Sequence, residues 1–116
     1  MYATTSDYVH ALEVVAPRRL LFVSGTMGLD AAGEAPPTLD AQLDLVWQNI
    51  AAILASAGMT LANIVRVTSY LRDAGDAEVN AAARLAALGR AVPTTAIVVG
   101  HLDDSWLVEI EVIAAG

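Results

Sequence analysis

The chain has no cysteine and no lysine. Without cysteine there is no disulfide, no thiolate zinc site and no cysteine nucleophile. Without lysine there is no amine for a Schiff base and no phosphate-binding lysine of a P-loop. All 6 cations are therefore arginines, scattered except for Arg18-Arg19, and 13 carboxylates bring the net charge to −7. Binding to a nucleic-acid backbone draws on clustered cations, so the composition argues against nucleic acid as a partner. Charged residues reach only 16% while hydrophobic ones make up 56%, which excludes intrinsic disorder. No apolar run reaches the roughly 20 residues of a spanning helix. Met1 to Ser6 lacks the basic-then-apolar pattern of a secretory signal. The expectation is a cytoplasmic protein with no membrane contact, folded as one domain over residues 1–116. A chain this short with so few charges has little polar surface to cover itself, which points to a homo-oligomer.

What is present falls into alternating elements. Residues 8–14 and 20–24 read as two strands joined by a turn at Pro17-Arg18-Arg19, the second apolar enough to be buried on both faces. Gly25, Gly28, Gly33 and Pro36-Pro37 then mark a loop. Residues 38–57 predict a helix with Thr38 as N-cap and Asp40 in its first turn. Its apolar stripe is Leu39, Leu43, Val46, Ile50, Ile53 and Leu54, with Gly58 as the stop. A strand is expected from Ile64 to Leu71 and a second helix from Asp76 to Leu88, capped by Asp76 and ended by Gly89. The small residues Val79, Ala82, Ala83 and Ala86 are its expected inner positions. Strands at 95–99 and 107–113, with a turn at 101–105 between them, complete the order ββαβαββ. An α+β fold follows, two helices packed on one face of a mixed sheet.

Side chains able to do chemistry are few. On the last strand Glu109 and Glu111 share a face with Leu107 and Ile113, opposite Val108, Ile110 and Val112. That carboxylate face meets either solvent or a cleft between subunits, where a glutamate can act as acid or base. Tyr8 and His10 also lie two apart, as a hydroxyl–imidazole pair for a small polar ligand or as an exposed strand edge. His101 sits in a turn and reads as a surface residue. Two histidines without suitably spaced carboxylates make no metal site, so neither metal nor cofactor is expected. Ser24-Gly25 opens the glycine-rich loop, where a hydroxyl and a close-approaching backbone can meet a ligand. Thr94 and Thr95, after Pro93, add two more hydroxyls. Trp47 and Trp106 read as core or interface residues.

Several of these segments resemble one family. Phe22-Val23-Ser24-Gly25-Thr26-Met27-Gly28 is similar to the hydrophobic-S-G-x-x-(P/G) segment of the Rid, or YjgF-type, family. Gln42 and Asn49 match its Q-x6-N spacing, and Asn63 to Thr68, Tyr70 to Asp73, Val79-Asn80 and Val92-Pro93 follow in its order. Val108 to Ala114 resembles its closing V-E-I-E-x-I-A. The resemblance implies a chorismate mutase-like fold, a homotrimer and small-molecule clefts between subunits. In the RidA-type members it implies cofactor-free hydrolysis of enamines and imines such as 2-aminoacrylate. Carried over by position, Glu109 and Tyr8 become catalytic candidates and Ser24 a substrate-binding one; the residues themselves add His10 to the first group, and Gly25, Thr94 and Thr95 to the second. One position departs from the pattern. RidA-type deaminases carry a P-x-R-x arginine that clamps the substrate carboxylate, whereas this chain reads Pro93-Thr94-Thr95-Ala96 with no arginine after Arg90. A charge-assisted clamp is worth about 1.5–3 kcal/mol per bond, so its loss predicts a divergent enzyme acting on a small uncharged metabolite or biosynthetic intermediate, by hydrolysis, deamination or tautomerisation. Open alternatives are a non-catalytic trimeric binding protein, or a deaminase anchoring its carboxylate with Arg18, Arg19 or Arg66 of a neighbouring chain. Ribonuclease activity is the weakest reading, given the acidic charge.

Overall fold

The computed structural model describes all 116 residues. Strand β1 is Tyr8–Val9, β2 Leu20–Met27, β3 Ile64–Leu71, β4 Val92–Val98 and β5 Val108–Ala115. Helix α1 is Leu39–Ser56 and α2 is Ala77–Leu88, with short 3-10 turns at Leu61–Asn63 and Ala74–Asp76. The strands form one sheet in the order β1-β4-β3-β5-β2. β4 runs parallel to β1 and β3, while β5 runs antiparallel to β3 and β2. The mixed sheet and the two helices agree with the sequence reading.

The first two strands do not. The expected 8–14 strand stops at Val9, and it pairs with β4 rather than with β2, so the two lie at opposite edges of the sheet. Residues 11–18 are all exposed and outside any strand, and Ala16 adopts a φ of 48° just before Pro17. β2 continues past Ser24-Gly25 to Met27 through a register shift between Val23 and Thr26. As an edge strand it buries only Val23, leaving Leu20 and Phe22 52% and 71% exposed, against the expectation of burial on both faces. β4 starts earlier than expected, at Val92. Pro93 is tolerated there because it is the second residue of the strand, where one missing N–H costs little of the ladder.

Helix α1 follows its sequence signals. The Thr38 hydroxyl accepts from the Ala41 N–H at 3.3 Å, and Leu43, Val46, Ile50 and Leu54 are buried against the sheet. Each contributes about 1.5–3 kcal/mol on burial. Ile53, assigned to the same stripe, stays 39% exposed beside Phe22. Two polar residues of α1 hold the loops around it. Asn49 Nδ2 donates to the carbonyls of Met27 and Leu29, both at 3.1 Å, and the fully buried Gln42 bridges two further segments. The Q-x6-N spacing is thus a structural device in this chain.

Helix α2 departs from its reading. Asp76 makes no capping bond, and the buried residues are Asn80, Arg84 and Leu88, while Val79, Ala82 and Ala86 face outward. Of the four expected inner positions only Ala83 packs on the core. The reason is an ion pair that the helical periodicity does not announce. Arg84, 2% exposed, donates through Nη2 to Asp7 Oδ2 at 2.8 Å and to the Asp7 carbonyl at 2.9 Å. The Thr5 hydroxyl also donates to Asp7, and with Arg84 it holds the Asp7 carboxyl below the usual carboxylate range. A carboxylate whose folded pKa is lowered adds stability above its ordinary pKa and loses it as pH falls through the lowered value. Asp7→Asn should therefore cost about 2 kcal/mol near neutral pH, because Arg84 stays buried without its counter-charge. Thermal melts from pH 7 to pH 2 check this: the gap between parent and variant should close on acidification, and a constant gap would refute the assignment.

Candidate functional site

β5 divides the molecule into two faces. Val108, Ile110 and Val112 are buried beneath the helices, so Glu109 and Glu111 project from the helix-free face, as alternation required. On β3 the same face carries Arg66, Thr68 and Tyr70, because these pair with Ile113, Glu111 and Glu109 respectively. Thr95 of β4 and Phe22 of β2 extend it to either side.

Glu109 packs over Gly25. A Cβ placed on Gly25 would lie 1.9 Å from Glu109 Oε2, so only glycine leaves room for this carboxylate. Ser24 stands beside it, exposed, at the register shift of β2. Glu111 behaves differently: the Tyr70 hydroxyl donates to its Oε1 at 2.5 Å. That hydrogen bond, with partial burial and the nearby Glu109, pushes the Tyr70 phenol above its ordinary range, while Arg66 opposes the shift. Arg66 turns toward β4, where Nη2 donates to Thr95 Oγ1 at 2.9 Å. The chain's two ion pairs, Arg72–Asp104 and Arg84–Asp7, do not include it. A cavity of about 330 Å³ lies here, lined by Phe22, Ser24, Arg66, Thr68 and Glu111 among others. A neighbouring cavity of about 300 Å³ is lined by Tyr70, His101, Glu109 and Glu111. No group of three or more His, Asp and Glu side chains is placed to hold a metal ion. No helix is long and apolar enough to cross a membrane.

The residues singled out from sequence therefore fall into two groups. Ser24, Gly25, Glu109 and Thr95 share the helix-free face. Tyr8 and Thr94 instead line a separate cavity of about 220 Å³ with Asp7, Asn80, Arg84 and Ala96, on the α2 side of β4. Thr94 donates to the Val92 carbonyl at 3.0 Å, so the two threonines point to opposite sides and do not act together. His10 is exposed and donates through Nε2 to the Tyr2 carbonyl at 2.8 Å. It does meet Tyr8, ring edge to ring face at 6.0 Å, but neither reaches Glu109 within the chain. β1 and β5 are three strand positions apart, about 14 Å at the usual spacing.

Three groups on or beside this face were missed or underweighted. Arg66 and Tyr70 belong to the face because Arg66-Thr68-Tyr70 alternates in step with Glu109-Glu111, a period-two signal present in the sequence. His101 is not a free surface residue: its Nε2 donates to the Tyr70 carbonyl at 3.0 Å. Its place depends on the path of the 99–107 loop, which no local pattern specifies.

Comparison with known proteins bears on the whole chain. Residues 2–116 match the sequence profile of the family described as Endoribonuclease L-PSP. A RutC family protein of Haemophilus influenzae is 36% identical over 81 residues, which span 68% of this chain and 60% of that protein. Protein DfrA of Myxococcus xanthus is 34% identical over 92% of this chain and 83% of its own length. Among solved structures, the Rid family protein YyfB of Yersinia pestis superposes with a TM-score of 0.87 at 27% identity, covering 100% of this chain and 92% of that one. RidA from an Antarctic Psychrobacter gives a TM-score of 0.79 at 29% identity, over 98% and 92% of the two chains. Sequence and fold agree: the chain belongs to the Endoribonuclease L-PSP family, the YjgF/Rid family whose motifs its sequence carries.

Proposed function

We propose that the chain is an enzyme that adds water to a small imine or enamine bearing a carboxylate, in a cleft completed between copies of the chain. The contact between Arg66 and Thr95 carries this reading. Thr95 stands at the arginine position of the P-x-R pattern, and a guanidinium from the neighbouring strand reaches that point at 2.9 Å. The expectation of an uncharged ligand rested on the lack of an arginine in β4. Arg66 supplies one from β3 instead, so an anionic ligand is favoured. Within one chain Thr95 and Glu109 lie on strands two positions apart, about 10 Å, too far for one small substrate to bridge. A homotrimer in which Glu109, Gly25 and Ser24 of one copy face Arg66 and Thr95 of the next closes that gap. It would also cover the exposed Phe22 and Ile97.

In this reading Glu109 takes a proton from water as the water oxygen attacks the imine carbon, and passes it to the imine nitrogen to give a carbinolamine. The carbinolamine hydroxyl proton then moves through Glu109 to the amine nitrogen as the C–N bond breaks, and carbonyl product and ammonia leave with Glu109 ionised again. An enamine first takes a proton at carbon. Hydrolysis needs no cofactor. The charge of −7 per chain supports a small metabolite over RNA.

The test is hydrolysis of 2-aminoacrylate, generated in place by a serine dehydratase, with pyruvate followed over time. Acceleration above the spontaneous rate is expected. Arg66→Met should raise KM about 30-fold, the worth of roughly 2 kcal/mol of charge-assisted bonding. No acceleration, with carboxylate binding intact, would leave a non-catalytic binding protein.

A further inference from the structure

Glu111 has a choice of partners. It stands opposite Thr68, so Arg66 and Tyr70, two residues to either side of Thr68 on the same face, are its diagonal neighbours. Either can bond a carboxylate, the guanidinium as an ion pair and the phenol as a neutral donor. Charge alone favours the arginine, and both Arg66 and Glu111 line the same open cavity. Yet Glu111 is held by Tyr70 at 2.5 Å, and Arg66 is turned away to Thr95.

We propose that Tyr70 is a latch on Glu111 that keeps the Arg66 guanidinium unneutralised and free for a ligand carboxylate. Tyr70 is then a positioning residue: it touches no ligand and acts by withholding a competitor. The inference rests on the role given to Arg66 above. Four groups face the latch: Glu111 and Glu109 from β5, Arg66 from β3, and His101, which donates to the Tyr70 carbonyl. The upward-shifted phenol stays protonated throughout the neutral range, so it remains a donor to Glu111 there. His101 Nε2 fixes the backbone at Tyr70, which holds the base of the ring in place.

The experiment titrates propionate, a carboxylate with no reactive group, into the assembled protein and its variants. Tyr70→Phe keeps the ring and removes only the donor. Glu111 should then swing to Arg66 in the crystal structure of the variant, and propionate binding should weaken ~5-fold, the competition expected of a partly exposed ion pair. Adding Glu111→Gln to that variant should restore the parent affinity, since an amide cannot neutralise arginine. Tyr70→Met gives the same reading if the phenylalanine variant does not fold. Unchanged affinity in Tyr70→Phe with Arg66 still on Thr95 overturns the latch, as does a parent that binds no propionate. A parent that binds propionate through a working latch but hydrolyses no imine overturns the catalytic reading alone.

Discussion

Glu109→Gln is expected to lower imine hydrolysis by about 10²- to 10⁴-fold, the range for removing a general acid–base group, while carboxylate binding changes little. Glutamine keeps the size and hydrogen-bonding reach of the side chain and gives up only the proton chemistry. Glu109 suits that role better than Glu111 because its partner is occupied differently: Tyr70 donates to Glu111, whereas Glu109 rests against the bare backbone of Gly25. Gly25→Ala is the companion test. The new Cβ would overlap Glu109 Oε2 at 1.9 Å and Cδ at 2.8 Å, so the carboxylate must rotate away with its charge intact. A misplacement of about 1 Å costs up to 10²-fold in rate, so Gly25→Ala should lose kcat with little change in KM. Full turnover in both variants would remove Glu109 from the mechanism. A loss in Glu109→Gln with none in Gly25→Ala would place the working conformer elsewhere than over Gly25.

Most of the fold was legible because it follows from local rules. α1 has a cap, an acidic first turn and a dense apolar stripe, and all three are found. The alternation of β5 told which face the carboxylates take. The misreadings share a different cause: they depend on partners distant in sequence. Residues 8–14 have strand composition, but β4 offers the N-terminal segment only two paired positions, at Val92 and Pro93. The inner face of α2 is polar because Asp7, 77 residues earlier, reaches Arg84, and no helical period encodes that. At the candidate site, Glu109 and Ser24 could be placed from their strands, whereas Gly25, read as the start of a loop, lies inside β2. Arg66 was one of three alternative anchors expected from a neighbouring chain; its reach to Thr95 within its own chain was not legible, because the P-x-R position lies on β4 while the guanidinium arrives sideways from β3. Thr94 was grouped with Thr95 although neighbours on a strand face opposite ways. Tyr8 and His10 meet each other as expected, but the distance from β1 to β5 makes any role beside Glu109 depend on a second copy.

Gln42→Leu should destabilise the protein by about 3 kcal/mol, three hydrogen bonds at roughly 1 kcal/mol each. Gln42 is 1% exposed, and every bond its amide makes is to backbone. Nε2 donates to the carbonyls of Pro36 and Ser105, both at 2.8 Å, and Oε1 accepts from the Leu107 N–H at 2.9 Å. One side chain therefore ties the loop entering α1 to the loop entering β5, and so fixes where β5, the strand that carries Glu109, begins. Gly28 presses on the same joint: a Cβ there would lie 2.2 Å from the Gln42 carbonyl, so the backbone cannot shift to compensate. Leucine matches the volume but leaves those three backbone groups without partners. For a domain with 5–15 kcal/mol in total, this should lower Tm by roughly 10–15 °C. Gln42→Glu discriminates bonding from packing. Its ionised carboxylate would face two carbonyl oxygens with no proton to give, so folding should favour the protonated acid and raise its pKa. A raised folded pKa makes the variant more stable as pH falls and less stable as pH rises through that value. Gln42→Glu should thus recover part of its lost Tm between pH 7 and pH 5, whereas Gln42→Leu should not. Equal behaviour of the two variants across that range would show that volume, not the bridge, is what position 42 supplies.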